Sequence, residues 1–253
     1  MNDAQSLNDA QLARHIATTA GRLLREVQES GLFADKALGK AGDAIANAFI
    51  VQALKTQRPQ DAILSEEEKD NPARLSASRV WIVDPLDGTR EYGERRTDWA
   101  VHIALAIDGR AALGAVALPG FPLTLSSDQV QGPPPASGKL RMLVSRTRPA
   151  AEAVAVAESL QAELVPMGSA GAKAMAVVRN EADIYLHSGG QYEWDSCAPV
   201  AVAQAAGLHV SRIDGSELRY NAANTYLPDL LVCRREHADL VLSTLRRVSV
   251  PNA

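Results

Sequence analysis

A chain of 253 residues with a formal net charge of −4 is longer than one hydrophobic core usually serves, so two packed subdomains are expected. The acidic balance excludes nucleic acid as a bulk partner, because a phosphate polymer needs a basic face. Nothing approaches a membrane-spanning run, and the polar residues 1–8 lack the basic and apolar regions of a signal peptide, so a cytoplasmic protein is expected.

Over residues 8–29, Leu12, Ile16, Leu23, Leu24 and Val27 fall on one stripe and predict an amphipathic helix that Gly31 ends. Gly39-Lys40-Ala41-Gly42 reads as a turn. Asp43 then heads a second helix carrying Ile45, Phe49 and Leu54, and Pro59 stops it. On local sequence Asp43 is an N-cap. Residues 62–64 form a short strand running into Ser65-Glu66-Glu67-Glu68, a cluster that on its own reads as a solvated turn.

The apolar run Val80-Trp81-Ile82-Val83 predicts a buried strand that stops at an acid. Proline fixes its own φ and keeps the preceding residue extended, and glycine relieves a tight turn. The stretch Asp84-Pro85-Leu86-Asp87-Gly88-Thr89 therefore presents two acids on one turn before Thr89 opens a helix. If the strands before Glu66 and Asp84 are neighbours, their acids pool at one sheet edge. Acids held together repel unless a cation sits between them, while free amides at a helix start favour an anion. Metal plus phosphate is the chemistry this predicts. Phosphatases that form an aspartyl-phosphate space their acids by one residue in Asp-x-Asp-Gly-Thr. Pro85 and Leu86 both intervene here, so that reading loses.

Residues 99–108 alternate as a long strand, Asp108-Gly109 makes a hairpin turn, and residues 111–118 return as its partner. Pro133-Pro134-Pro135, with Ser127, Gly132 and Gly138 nearby, reads as a linker. The boundary falls there: residues 1–130 form an α+β subdomain carrying the acids, and 138–253 an α/β subdomain adding the last acid. Beyond the linker the order is strand 140–144, helix 149–161, strand 164–167. Gly168-Ser169-Ala170-Gly171 then opens a helix to about Arg179 as a candidate anion site. A strand at 182–186 and a loop at Ser188-Gly189-Gly190 precede Glu193-Trp194-Asp195. Asp195 heads an alanine-rich helix through Ala206, where it also reads as a cap. A strand at 230–233 and a helix at 238–247 complete the layers. No histidine pair has metal-ligand spacing, and Cys197 and Cys233 are too few and too far apart for a cage or a disulfide framework. Any metal is a hard ion held by oxygen.

Glu66-Glu67 after a strand, then Asp84-Pro85-Leu86-Asp87-Gly88-Thr89, then Trp194-Asp195 resemble, in order and spacing, the inositol monophosphatase superfamily of magnesium-dependent, lithium-sensitive phosphatases. The resemblance covers essentially the whole chain. Leu64-Ser65-Glu66-Glu67, Arg90-Glu91 and Gly168-Ser169 followed by Lys173 are similar to its 3′(2′),5′-bisphosphate nucleotidase branch, the CysQ type, and residues 168–199 look closest to actinobacterial members. The resemblance implies an α/β (α+β) fold, layered α-β-α-β-α, with two subdomains. It implies Glu67, Asp84, Asp87 and Asp195 as side-chain metal ligands, with the Leu86 carbonyl as a further one. Asp43 and Thr89 orient and deprotonate the attacking water, with Glu66 beside them. The amides of Gly88 and Thr89 hold the phosphate, and Arg90, Gly168, Ser169, Lys173, Arg219 and Tyr220 serve the rest of the substrate.

Anchoring on Leu-Ser-Glu-Glu selects Glu67, although the triple Glu66-Glu67-Glu68 leaves the register open. Ala41 stands where the family has a threonine two residues before the acid. Lys173 is either a solvated helix lysine or an anchor for a second phosphate or a sugar oxygen. Tyr192 and Trp194 would flank an adenine unless Trp194 is core. The implied cofactor is Mg²⁺, as two or three ions, with Mn²⁺ a substitute and Li⁺ an inhibitor. The implied substrate is 3′-phosphoadenosine 5′-phosphate (PAP), cleaved to AMP and phosphate in recycling linked to sulfate assimilation. Its sulfated analogue (PAPS) is a further substrate, and the implied assembly is a homodimer. Two readings compete: an inositol or fructose-bisphosphate phosphatase with the same metal site, and a catalytically silent metal- or nucleotide-binding protein.

Overall fold

Asn8 and Gln11 close a reciprocal capping box at 2.9 and 3.1 Å, which starts helix α1 (Asp9–Glu29) where the sequence places it. The computed structural model describes residues 7–248, so residues 1–6 of the polar start lie outside the described residues. Helix α2 (Asp35–Gln57) begins eight residues before Asp43, and the turn expected at Gly39–Gly42 is instead helical. Packing explains the correction. A Cβ on Gly39 would stand 2.7 Å from Thr89 Cγ2, and one on Gly42 would stand 2.8 Å from the Tyr92 ring. The glycines admit close approach within a helix, and Asp43 projects from the middle of α2 rather than capping it.

Strands β1 (Ala62–Ser65), β2 (Arg79–Asp87), β3 (Ala100–Ile107), β4 (Arg110–Leu118) and β5 (Leu123–Ser126) form the first sheet in sequential order. β1 and β2 are parallel with Ser65 opposite Val83, so Glu66 and Asp84 leave the sheet at the same edge, as expected. Between Asp84 opposite His102 and Asp87 opposite Ala100 the β2–β3 register slips by one residue. Pro85 has no N–H to give a ladder and sits in this bulge. A bulge re-aims side chains, and here it turns two acids three positions apart toward one place. Asp108 and Gly109 take positive φ of 49° and 75° in the β3–β4 hairpin, the primed turn the sequence signals. β5 escaped sequence reading because its four residues carry no alternation long enough to see.

The second sheet orders β7 (Glu163–Met167), β6 (Arg141–Ser145), β8 (Ile184–Tyr192), β10 (Tyr226–Cys233) and β9 (His209–Ser211). β8 runs through Ser188–Gly190, the segment expected to be a loop. Gly189 and Gly190 have positive φ, yet the strand regains register with β10 across an irregularity at Leu227–Asp229. Helix α3 (Thr89–Gly93) follows β2, with Gly88 before it at φ 88°. Helices α4 (Ala151–Leu160) and α7 (Ala238–Val248) cover the outer face of the second sheet. Helices α5 (Ala170–Val178) and α6 (Glu193–Ala205) lie between the two sheets.

Three apolar cores bind these five layers. Leu12, Ile16, Leu24 and Ile50 meet Trp81, Val83 and Ile103 on the outer face of the first sheet. Val80, Ile82 and Val116 on its inner face meet Met175, Val177, Val200, Leu230 and Val232. Met142, Val156, Ile184, Val241 and Leu245 fill the third. Period-two alternation sends Val80 and Ile82 one way and Trp81 and Val83 the other, so β2 is buried on both faces. Each such side chain is worth about 1.5–3 kcal/mol of burial. That rigid strand holds the acids at its end.

Candidate active site

Three carboxylates converge where β2 ends and α6 begins. Asp84, Asp87 and Asp195 each offer an oxygen, and these atoms lie within 4.8 Å of one another. Asp84 is 1 % exposed and Asp87 7 %. Asp84 Oδ1 accepts from the Leu86 amide at 3.0 Å. α6 starts at Glu193, so Asp195 is its third residue rather than its N-cap; its side chain reaches back to accept from the Tyr192 amide at 2.6 Å while it stands in the cluster. Burial, then the charges of Glu66, Asp87 and Asp195, hold the Asp84 carboxyl well above the usual range. Burial and the charge of Asp87 raise Asp195 to about 6. Burial and the charges of Asp195, Asp43 and Asp87 raise Glu66 to about 7.

Asp87 goes the other way. Burial pushes it up, but His102, the Ser169 hydroxyl and the Gly171 amide bring it down to about 2. Ser169 Oγ donates at 2.5 Å, Gly171 N at 2.6 Å and Ala170 N at 3.2 Å. The anion expected at this glycine-rich helix start is the protein's own Asp87. His102 Nε2 lies 3.2 Å from Asp87 Oδ2, and its Nδ1 lies 3.0 Å from the Trp194 carbonyl. A buried strand histidine gives no sequence signal, and reading missed it.

Asp43 faces this cluster from α2. Its carboxyl is raised to about 7, chiefly by burial and then by the charge of Glu67, against the nearby Thr89 hydroxyl, which lowers it. The Thr89 hydroxyl also lies 3.1 Å from the Leu86 carbonyl oxygen and donates to it. Thr89 thus stands near Asp43 in a chain with Ala41 in place of the family's threonine. Glu66 bears on Asp84 more than any other charged group does, whereas Glu67 bears on Asp43 and Glu66.

A cavity of about 540 Å³ opens beside the acids, lined among others by Asp87, Gly88, Arg90, Gly168, Ser169, Lys173 and Asp195. Lys173 is 5 % exposed rather than solvated. Its ammonium donates to the carbonyls of Met167, Gly168 and Ser169 at 3.5, 3.3 and 2.5 Å and lies 5.3 Å from the centre of the Tyr185 ring. Burial lowers its pKa against the charges of Asp87 and Glu91. Arg90 is paired with Glu94 at 2.9 Å, and Arg146 with Glu91 and Glu94 at 2.8 and 2.9 Å. Tyr192 and Trp194 stack on each other, ring centres 4.9 Å apart, so nothing fits between them.

Arg219 and Tyr220 do not line this cavity. Tyr220 is buried against Ser196, and its amide bonds Gly109 at the far end of β3, while exposed Arg219 pairs with Glu217. The Tyr220 backbone thus lies at the far end of β3, while its hydroxyl reaches Ser196 directly behind Asp195. Reading also missed Arg146, Arg148 and His187, which line the cavity. One signal pointed to the arginines. They follow β6, and in parallel sheets ligands gather beyond strand carboxyl ends.

The donor set suits a hard divalent cation. Buried carboxylate oxygens stand within one ion's reach, and their mutual repulsion is what a cation relieves. Residues 9–249 match the model described as the inositol monophosphatase family. The chain is 49 % identical to a 3′-phosphoadenosine 5′-phosphate phosphatase of Mycobacterium leprae over 96 % of its own length and 95 % of the relative's. It is 30 % identical to the 3′(2′),5′-bisphosphate nucleotidase CysQ of Escherichia coli K12, over 77 % of this chain and 84 % of the other. The crystal structure of CysQ from Bacteroides thetaiotaomicron superposes with a TM-score of 0.80 at 25 % identity, covering 90 % and 97 % of the two chains. The carboxylate triad, the five layers and these likenesses agree: the chain belongs to the inositol monophosphatase family.

Proposed function

We propose that this protein is a Mg²⁺-dependent phosphatase that hydrolyses the 3′-phosphate of PAP, giving AMP and phosphate. The observation that carries the reading is the triad of buried Asp84 and Asp87 with half-buried Asp195, beside Asp43 and Thr89. The substrate is supported by relatives named for PAP and for 3′(2′),5′-bisphosphate nucleotides. Asp84, Asp87 and Asp195, with the Leu86 carbonyl, would hold the metal. Glu66 takes the glutamate position that the motif register assigned to Glu67, because it is the glutamate whose charge acts on Asp84.

Magnesium at these acids would offset the developing phosphate charge and acidify water. Thr89 orients the attacking water, and Asp43, raised to about 7, accepts its proton at an operating pH near its own pKa. Gly88 and Thr89 present amides to the phosphate. Ser169, Ala170 and Gly171 fix Asp87 and keep it ionised. Lys173 ties together the carbonyls that shape the cavity floor. PAPS hydrolysis, Li⁺ inhibition, Mn²⁺ substitution, a homodimer and a cytoplasmic location belong to the same proposal. The two subdomains 1–130 and 138–253 do as well, since the first sheet ends at Ser126 and the second begins at Arg141. Among the described residues no helix is long and apolar enough to cross a membrane. Parallel assays of PAP, inositol monophosphate and fructose 1,6-bisphosphate test the substrate. Higher kcat/KM on PAP is expected; a wide preference for inositol monophosphate overturns it.

A further inference from the structure

The cavity beside the acids does not end at Lys173. A second cavity of about 600 Å³ adjoins it, and both are lined by Ser145, Arg148, His187 and Gly190. These four residues form the waist between the two spaces. Of the cations that line either cavity, three are engaged. Arg90 and Arg146 are held by Glu91 and Glu94, and Lys173 gives its protons to backbone carbonyls.

Arg148 differs. Its side chain is exposed at the waist, and among the described residues it has no carboxylate within 4.0 Å. The carboxylates that line the second cavity are themselves engaged. Asp229 is gripped by Arg212 through two bonds of 2.7 Å and by the Ile213 amide at 2.9 Å, and Glu152 accepts from Ser188. His187 stands beside Arg148. Burial first, and then the charges of Lys173 and Arg148, lower its pKa, so at neutral pH it is an uncharged ring bonded through Nε2 to the Gly190 carbonyl, 3.1 Å away. An unpaired guanidinium next to a neutral ring, at the junction of two cavities, is an anion subsite displaced from the acid cluster.

We propose that Arg148 binds the second phosphate of a bisphosphate nucleotide whose first phosphate lies at the acid cluster, so that it sets the preference for bisphosphate over monophosphate esters. This rests on the nucleotide reading above and adds the residue that enforces it. Lys173, which the sequence offered for that role, is consumed in holding the loop before α5.

The test compares PAP with adenosine 3′-phosphate, the same ester without its 5′-phosphate, in wild type, Arg148→Gln and Arg148→Lys. Loss of a charge-assisted contact is expected to raise KM for PAP by about ten- to a hundredfold in Arg148→Gln, with kcat within about twofold. On adenosine 3′-phosphate, kcat/KM changes by no more than about twofold. Arg148→Lys recovers part of the loss, because a point charge replaces a fork. Equal effects of Arg148→Gln on both esters, or none on either, overturn the inference and leave the phosphatase reading standing. Failure of wild type to hydrolyse PAP beside brisk turnover of inositol monophosphate overturns the substrate reading, and this inference with it.

Discussion

Asp84 and Thr89 stand five residues apart and predict different failures. Asp84 is buried among acids, and among the described residues the only basic side chain near its carboxylate is His102, whose Nδ1 is 4.0 Å from Oδ2, so its carboxylate serves the cation. Asp84→Asn should abolish turnover and weaken Mg²⁺ binding by calorimetry beyond the ~10–100-fold that outer-shell changes cost. Thr89 stands near Asp43 and donates to the Leu86 carbonyl, so Thr89→Ala should lower kcat by about 100- to 10,000-fold while Mg²⁺ affinity stays within a few-fold. Equal loss of metal affinity in both variants would contradict the division of labour. In wild type, kcat should rise with pH through about 7 as Asp43 ionises.

The acids were legible because rigid spacing marks them: Pro85 and Gly88 leave few ways to arrange Asp84 and Asp87. Residues that act across the fold were not. Which of Glu66 and Glu67 faces the acids depends on how the turn after β1 lies against β2, information carried by pairing rather than local pattern. Arg219 and Tyr220 were drawn in by the resemblance alone; neither lines the cavity, and the Tyr220 amide sits at the β3–β4 turn.

At the scale of elements, α2 shows how packing overrides propensity. Gly39 and Gly42 read as turn residues because glycine costs a helix about 1 kcal/mol each. The structure accepts that cost so that α2 can approach Thr89 and Tyr92 closely enough to aim Asp43. Gly39→Ala would gain helix propensity, yet its Cβ would meet Thr89 Cγ2 at 2.7 Å and the Thr89 carbonyl oxygen at 3.2 Å, backbone that cannot yield easily. The variant should lose about 1–3 kcal/mol in chemical denaturation and lose kcat more than KM. A stable, fully active Gly39→Ala would show that the approach of α2 to Thr89 does not position the base. Long periodic elements such as α1, β3 and β4 were legible. The short β5 and β9, and the glycine-bearing second half of β8, were not, because they are held by neighbours rather than by their own pattern.

Across the whole molecule, the acid cluster ties stability to pH and to metal. Asp43, Glu66 and Asp195 hold protons more tightly folded than unfolded, with pKa values moved from 3.8, 4.5 and 3.8 to about 7, 7 and 6. The stability they contribute is therefore complete below about pH 4 and is lost as pH rises through 6–7. Asp87, lowered to about 2, has the opposite sign, and its contribution is lost only in strong acid. Metal-free protein should show a falling Tm between pH 5 and pH 8, with Mg²⁺ restoring more at pH 8. Saturation at a hundred times Kd is worth about 2.7 kcal/mol, or roughly 5–10 °C in a chain of this size. A Tm that rises over this range without metal, or ignores Mg²⁺ at pH 8, would count against a cation at the triad.

The most direct test is phosphate release from PAP by protein stripped with EDTA, followed as Mg²⁺ is returned, with Asp84→Asn alongside. No release without metal, saturable recovery with Mg²⁺, and an inactive Asp84→Asn at every concentration are the results predicted. Release that persists in EDTA, or an Asp84→Asn variant that matches wild type, would contradict the assignment of Asp84, Asp87 and Asp195 as the centre of the chemistry.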